Sequence, residues 1–84
     1  MITVKYFAGL KTLAGSEEDR FDLGSETTVR VLSEEIGKRH PELKNLIGGK
    51  KVMVSVNHDM ASPDSTIKDG DEVALLPPFS GGSM

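Results

Sequence analysis

The sequence predicts a two-layer α+β domain in which one main helix covers one face of a mixed four- or five-stranded sheet. Three observations lead there. The chain has 84 residues, 37% of them hydrophobic, enough for one small core and no second domain. Several short stretches alternate apolar and polar residues with the period of a half-buried strand, and only one long stretch carries apolar residues at helical spacing. Nothing repeats internally.

The opening stretch, Ile2 to Ala8, sets Ile2, Val4 and Tyr6 against Thr3, Lys5 and Phe7 and reads as the first strand. Gly9 breaks it. Leu10 to Ala14 then fits one helical turn that buries Leu10 and Leu13 and ends at Gly15, a residue that tolerates left-handed backbone. Glu17 to Leu23 places Phe21 and Leu23 on one side and acids on the other, as in a second strand hairpin-paired with the first.

From Thr27 to His40, Val29, Leu32 and Ile36 are spaced by three and four and share one helical face. This is the main helix. Thr27 or Thr28 can cap its amide end, Lys38 and Arg39 suit its carbonyl end, and Pro41 opposes its continuation. Leu43, Leu46 and Ile47 anchor a short irregular or helical piece, and a turn is expected over Gly48 to Lys51. Val52 to Val56 is a strand with three valines facing one way, and Asn57-His58-Asp59 is a turn before a short element at Met60-Ala61. A loop through Pro63 and Asp64 leads to Ile67 as a buried anchor, Lys68 to Glu72 forms a tight turn, and Val73 to Leu76 is the last strand. Residues 1–76 therefore form the domain, and 77–84 an extended, flexible tail.

Composition narrows the chemistry. The absence of cysteine excludes disulfides, thiolate metal sites and a cysteine nucleophile. Thirteen acidic residues against ten basic ones, without a Lys/Arg stripe, argue against a nucleic-acid surface and favour protein partners. No apolar run reaches the roughly 18 residues of a membrane span, and the start lacks a signal-peptide layout, so a cytoplasmic location is expected.

No internal active site emerges from the motifs. His40 stands at a helix end and His58 in a turn, neither beside further ligands at metal spacing, so no metal is expected. The acids Asp64, Asp69, Asp71 and Glu72 lack the spacing of a calcium loop and suit turn chemistry. What remains is Pro77-Pro78-Phe79-Ser80-Gly81-Gly82-Ser83-Met84. Two prolines preset an extended backbone and two glycines make it thin enough for a narrow channel, while a frayed terminus is the plainer alternative.

Several segments together carry a resemblance. Val4-Lys5-Tyr6-Phe7-Ala8, Leu13-Ala14-Gly15, Val56-Asn57, Asp69-Gly70-Asp71-Glu72-Val73-Ala74 and Pro77-Pro78-Phe79-Ser80-Gly81-Gly82 resemble, in order, the small sulfur-carrier subunit of molybdopterin synthase. The resemblance implies the ubiquitin-like β-grasp fold. It also implies that Gly82 is the reactive residue: an E1-like adenylating enzyme uses ATP to activate its carboxylate, and sulfur replaces AMP to give a thiocarboxylate. The chain itself binds no cofactor. Ser80, Gly81 and Gly82 would enter the channel of the synthase large subunit, and Phe7, Met60, Leu75, Leu76, Pro77, Pro78 and Phe79 would form the partner surface. Alternation lets only one of Leu75 and Leu76 point outward.

The chain departs from that pattern at its end. Ser83 and Met84 follow Gly82, whose carboxyl is therefore in a peptide bond: either a processing protease trims the last two residues, which is the favoured expectation, or the chain does not act as a carrier. A ubiquitin-like modifier, close to the small archaeal modifier proteins, is the alternative. It would join the Gly82 carboxyl to lysines of target proteins after the same adenylation.

Overall fold

Strand β1 (Ile2–Tyr6) is paired on both sides, antiparallel to β2 (Glu18–Phe21) and parallel to β7 (Glu72–Leu76). β7 in turn pairs antiparallel with β4 (Met53–Val56), and β4 with the two-residue β5 (Asp59–Met60). The five-stranded mixed sheet thus runs β2-β1-β7-β4-β5. These relations come from a computed structural model, which describes residues 1–48 and 52–77. The expected turn over 48–51 and all of the tail beyond Pro77 lie outside the described residues, apart from Gly48, which ends a helix.

A parallel pair of strands needs a crossover, and the main helix α2 (Val29–Arg39) supplies it. Thr28 caps α2, its Oγ1 accepting a hydrogen bond from Val31 N at 3.3 Å. Val29, Leu32 and Ile36 are buried, as their spacing requires, against Ile2, Val4 and Tyr6 of β1 and Val73 and Leu75 of β7 in one core. This is the β-grasp arrangement that the resemblance implies.

Three features depart from the sequence expectations. The first strand stops at Tyr6, because Ala8 takes a positive φ of 53° at the entry to α1 (Gly9–Ala14). In α1 the buried pair is Leu10 and Ala14, not Leu10 and Leu13. Residues 10 and 14 lie about 40° apart around a helix, whereas Leu13 falls on the other flank and faces solvent. Gly15 ends α1 in the left-handed conformation as expected. Beyond Arg39 the chain breaks at His40 and restarts as α3 (Pro41–Gly48), with proline at its first position, where no amide hydrogen is needed.

The third departure is a second, two-stranded sheet: β3 (Glu26–Thr28) pairs antiparallel with β6 (Thr66–Lys68). Glu26-Thr27-Thr28 reads from sequence as the lead-in to a helix. Its partner lies about forty residues on, too short and too distant to leave a period. Ile67 on β6 is fully buried, as expected.

A network of side chains ties the helical layer to the sheet. His40 Nε2 lies 2.5 Å from Asp19 Oδ2, the Tyr6 hydroxyl donates to the same oxygen at 2.8 Å, and the Arg39 guanidinium is 3.7 Å from Asp19 Oδ1. Arg39 also stacks on the Phe21 ring at 4.1 Å. Burial works to raise the Asp19 pKa, but the hydrogen bonds from His40 and Tyr6 and the Arg39 charge outweigh it and hold the carboxyl below its ordinary value. Burial, and then the bond to Asp19, push the Tyr6 phenol upward.

A carboxyl whose pKa is lower folded than unfolded contributes stability above the unfolded value, near 3.8, and that contribution disappears as pH falls through the folded value. Asp19→Asn should therefore cost about 1–3 kcal/mol at pH 7. Its deficit relative to the parent chain should shrink in urea melts below about pH 4.

Candidate functional site

The site is built on the sheet face turned away from α2 and on the strand that leads to the tail. Along β7, Val73 and Leu75 point into the core, so Glu72, Ala74 and Leu76 point outward. Register places Ala74 beside Lys5 and Ser55, and Leu76 beside Met53. Met60 sits opposite Ser55 on β5 and adds to the same face.

Phe7 and Met60 stand exposed on this face, at 41% and 61%. With Ala74, Leu76 and the nearly covered Ser55 they border a shallow depression of about 240 Å³. An apolar patch rimmed by the Lys5–Glu72 ion pair (3.7 Å) and His58 has the anatomy of a protein-binding surface.

The expectation for β7 resolves one way. Leu76 is on the outward face, while Leu75, 1% exposed, belongs to the core, so it is removed from the partner surface. The cause is pleat: one residue along a strand reverses the side-chain direction. Pro77 is exposed where the chain leaves the sheet. Pro78, Phe79, Ser80, Gly81 and Gly82, as well as Ser83 and Met84, lie outside the described residues.

The loop before β7 fixes the strand that carries the tail. Asn57 and His58 both have positive φ (51° and 73°) and link β4 to β5 as a two-residue hairpin turn. Asn57 then locks onto the start of β7: its Nδ2 donates to Asp71 Oδ1 at 3.1 Å, its Oδ1 accepts from Glu72 N at 3.0 Å, and its own N–H donates to Glu72 O at 2.7 Å. Asp71 Oδ2 accepts from Lys68 N at 2.8 Å across a turn whose Gly70 has φ 93°. The Lys68 amide and Asn57 bonds hold the Asp71 carboxyl below its usual range.

Two segments of the resemblance, Val56-Asn57 and Asp69-Gly70-Asp71-Glu72-Val73-Ala74, are thus one hydrogen-bonded unit in space. Its remaining acids have structural partners too: Asp69 pairs with the amino group of Met1, and Asp64 with Arg30. The turn reading of this cluster holds. Protonating Asp71 removes its charge and leaves one of its two donors facing a hydroxyl, so its contribution to stability is present above about pH 4 and lost as pH falls below. Asp71→Ala should lower the melting temperature at pH 7 and differ little from the parent chain at pH 2–3.

Sequence reasoning missed three members of the outward face, Met53, Ser55 and Ala74. The signal was available. Once Val52, Val54 and Val56 are assigned to one side, Met53 and Ser55 must take the other, and pairing with β7 brings in Ala74. The Tyr6–Asp19–His40 network left no such signal, since its members meet only through the fold. Among the described residues, no cluster of His, Cys, Asp or Glu could hold a metal ion, and no helix is long and apolar enough to cross a membrane.

Fold and site define a ubiquitin-like β-grasp protein whose last strand, anchored in mid-sheet, runs on into a sequence with paired glycines. Residues 4–82 match the model of the ThiS family, and the chain belongs to that family. A molybdopterin synthase sulfur carrier subunit of Chlamydomonas reinhardtii is 37% identical over 83 residues, covering 96% of this chain and 98% of that protein. The sulfur carrier subunit of Escherichia coli is 31% identical, with 98% and 100% covered. The crystal structure of small archaeal modifier protein 1 from Haloferax volcanii superposes with a TM-score of 0.84 at 32% identity, covering 96% of this chain and 98% of that one.

Proposed function

We propose that this protein is a sulfur carrier, the small subunit of a molybdopterin synthase, which donates sulfur from a thiocarboxylate at Gly82. One observation carries the reading: the family match runs to Gly82 and stops there, at the second glycine of the tail that β7 delivers. A carboxylate is a poor electrophile. Attack of the Gly82 carboxylate on the α-phosphorus of ATP releases pyrophosphate and leaves an acyl adenylate. A sulfur nucleophile at the hydrosulfide level then forms the C–S bond as the C–O bond to AMP breaks, with no net change in oxidation state.

The partners in this reading are an adenylating enzyme that uses ATP and the large synthase subunit, which supplies the catalytic groups for transfer to the pterin precursor. The chain contributes a docking face, at Phe7, Met60, Leu76 and Pro77, and a slender tail comprising Pro78, Phe79, Ser80, Gly81 and Gly82. It binds no cofactor of its own and works in the cytoplasm.

While Ser83 is attached, Gly82 has no free carboxylate. Hydrolysis of the Gly82–Ser83 bond by a processing protease therefore precedes activation. Intact-mass analysis of the protein from its native cell should find a species ending at Gly82. A chain that always retains Met84 would defeat the carrier reading.

A second reading is favoured by the likeness to small archaeal modifier protein 1: conjugation of the Gly82 carboxyl to lysines of target proteins. Both readings share the adenylate and differ in the nucleophile that follows. Isopeptide-linked Gly82 remnants in digests of native proteins would establish conjugation, and co-purification with a large synthase subunit would establish sulfur transfer.

A further inference from the structure

Beside the β5 edge of the sheet lies a second concave surface, larger than the outward depression and absent from the reading above. It is an open groove of about 920 Å³ between the solvent side of α2 and the β4–β5 edge. Its apolar lining includes Ile47, Val52, Val54 and Ala61, all only partly buried. Side chains of this kind at the bottom of an open groove lose contact with water when an apolar partner residue enters, which favours association.

The charge on the groove runs against the charge on the molecule. Among the described residues, Arg30, Lys38 and Lys44 line it with Glu34 as the one acid, in a chain whose net charge is −3. Arg30 and Lys38 are engaged with Asp64 (2.6 Å) and Glu35 (3.2 Å), but these pairs are exposed, and exposed pairs are weak and exchange readily. Lys44 has no ion pair among the described residues. Its stem packs against Gly37, where an added Cβ would come within 3.1 Å of it, so α2 and α3 approach closely and Lys44 is held at the rim.

The groove is also continuous with the outward face. Met60 lines both it and the smaller depression, and β5, only two residues long, is all that separates them. A partner seated on the outward face can pass round this edge without a gap.

We propose that this groove binds an acidic segment of a partner protein, with two or three apolar side chains against Ile47, Val52, Val54 and Ala61 and Asp or Glu residues facing Arg30, Lys38 and Lys44. Opposite charge at the rim steers the encounter and rejects basic segments, while the apolar contacts supply the residence time. The inference holds whether Gly82 carries sulfur or joins to lysine.

Selection of a randomised twelve-residue display library against the full 84-residue chain tests it. Enriched peptides should combine apolar residues with two or more Asp or Glu. They should shift the backbone amides of Val29, Val54 and Ala61 in NMR titration. They should also bind at least about tenfold more weakly to the double variant Lys38→Glu, Lys44→Glu, and several-fold more weakly when salt is raised from 0.05 to about 0.5 M. The milder pair Lys38→Gln, Lys44→Gln should give an intermediate loss at a melting temperature close to the parent's, while the charge reversal, which sets an acid at the carbonyl end of α2 beside Glu35, should melt a few degrees lower and remain folded.

The proposal is overturned if nothing is enriched, if enriched peptides are neutral or basic, or if the charge reversal leaves their affinity unchanged. Shifts centred on Phe7 and Leu76 would also overturn it. So would binding that appears only after residues 77–84 are deleted, which would make the chain's own tail the occupant, or self-association through the groove, which would make it a second copy. Sulfur loading of a Gly82-terminated chain is unaffected by any of these outcomes.

Discussion

Deleting Gly81 and Gly82 from a chain that otherwise ends at Gly82 should abolish sulfur loading and leave the melting temperature unchanged. Among the described residues, the last in the core is Leu75 and the last in the sheet is Leu76. The proposed function places the reactive carboxyl beyond them, so loss of activity without loss of stability is the expected signature. An interaction domain with an inert tail would instead show no change in activity. Gly82→Ala retains the carboxyl and adds only a methyl group. It should lower loading by a smaller factor, set by how closely the activating enzyme and the large subunit enclose the tail.

The second large effect separates two adjacent leucines. Leu75→Ala should cost about 2–5 kcal/mol, because its side chain is buried with Tyr6, Val73 and Ile36 and the fold cannot close the void. A domain of this size is stable by about 4–12 kcal/mol in all, so the melting temperature should fall by more than about 10 °C. Leu76→Ala should cost about 1 kcal/mol or less and weaken binding of the large subunit instead, since its side chain lies on the outward face beside Met53. Equal thermal losses from both substitutions would refute the assignment of faces.

Much of this was legible in the residues. Alternation located β1, β4 and β7, and the spacing of Val29, Leu32 and Ile36 located α2, because each has one buried face long enough to show a period. Pro41 marked the break after α2 but left open whether the next segment was helical. The three-residue strands β3 and β6 were invisible, as was the Tyr6–Asp19–His40 contact, since each depends on residues brought together from distant parts of the chain.

At the site the same division holds. The glycines, prolines and the Asp69–Ala74 segment were conspicuous, and Asn57 stood beside them in the resemblance without a cause. Its three hydrogen bonds to Asp71 and Glu72 give the cause: they seat the strand from which the tail departs. The choice between Leu75 and Leu76 needed register, because two adjacent leucines carry no phase of their own. The lack of cysteine, which excludes thiol chemistry on side chains, places no limit on sulfur carried by a main-chain carboxyl.

One measurement tests the central claim most directly. A chain ending at Gly82 is incubated with an adenylating enzyme, ATP and a sulfide source, and its intact mass is read beside that of the 84-residue chain. Exchange of oxygen for sulfur at an activated carboxyl should add about 16 Da to the Gly82-terminated form and nothing to the form that retains Ser83 and Met84. A Gly82-terminated chain of unchanged mass, in a reaction where the enzyme activates a known substrate, would contradict the account.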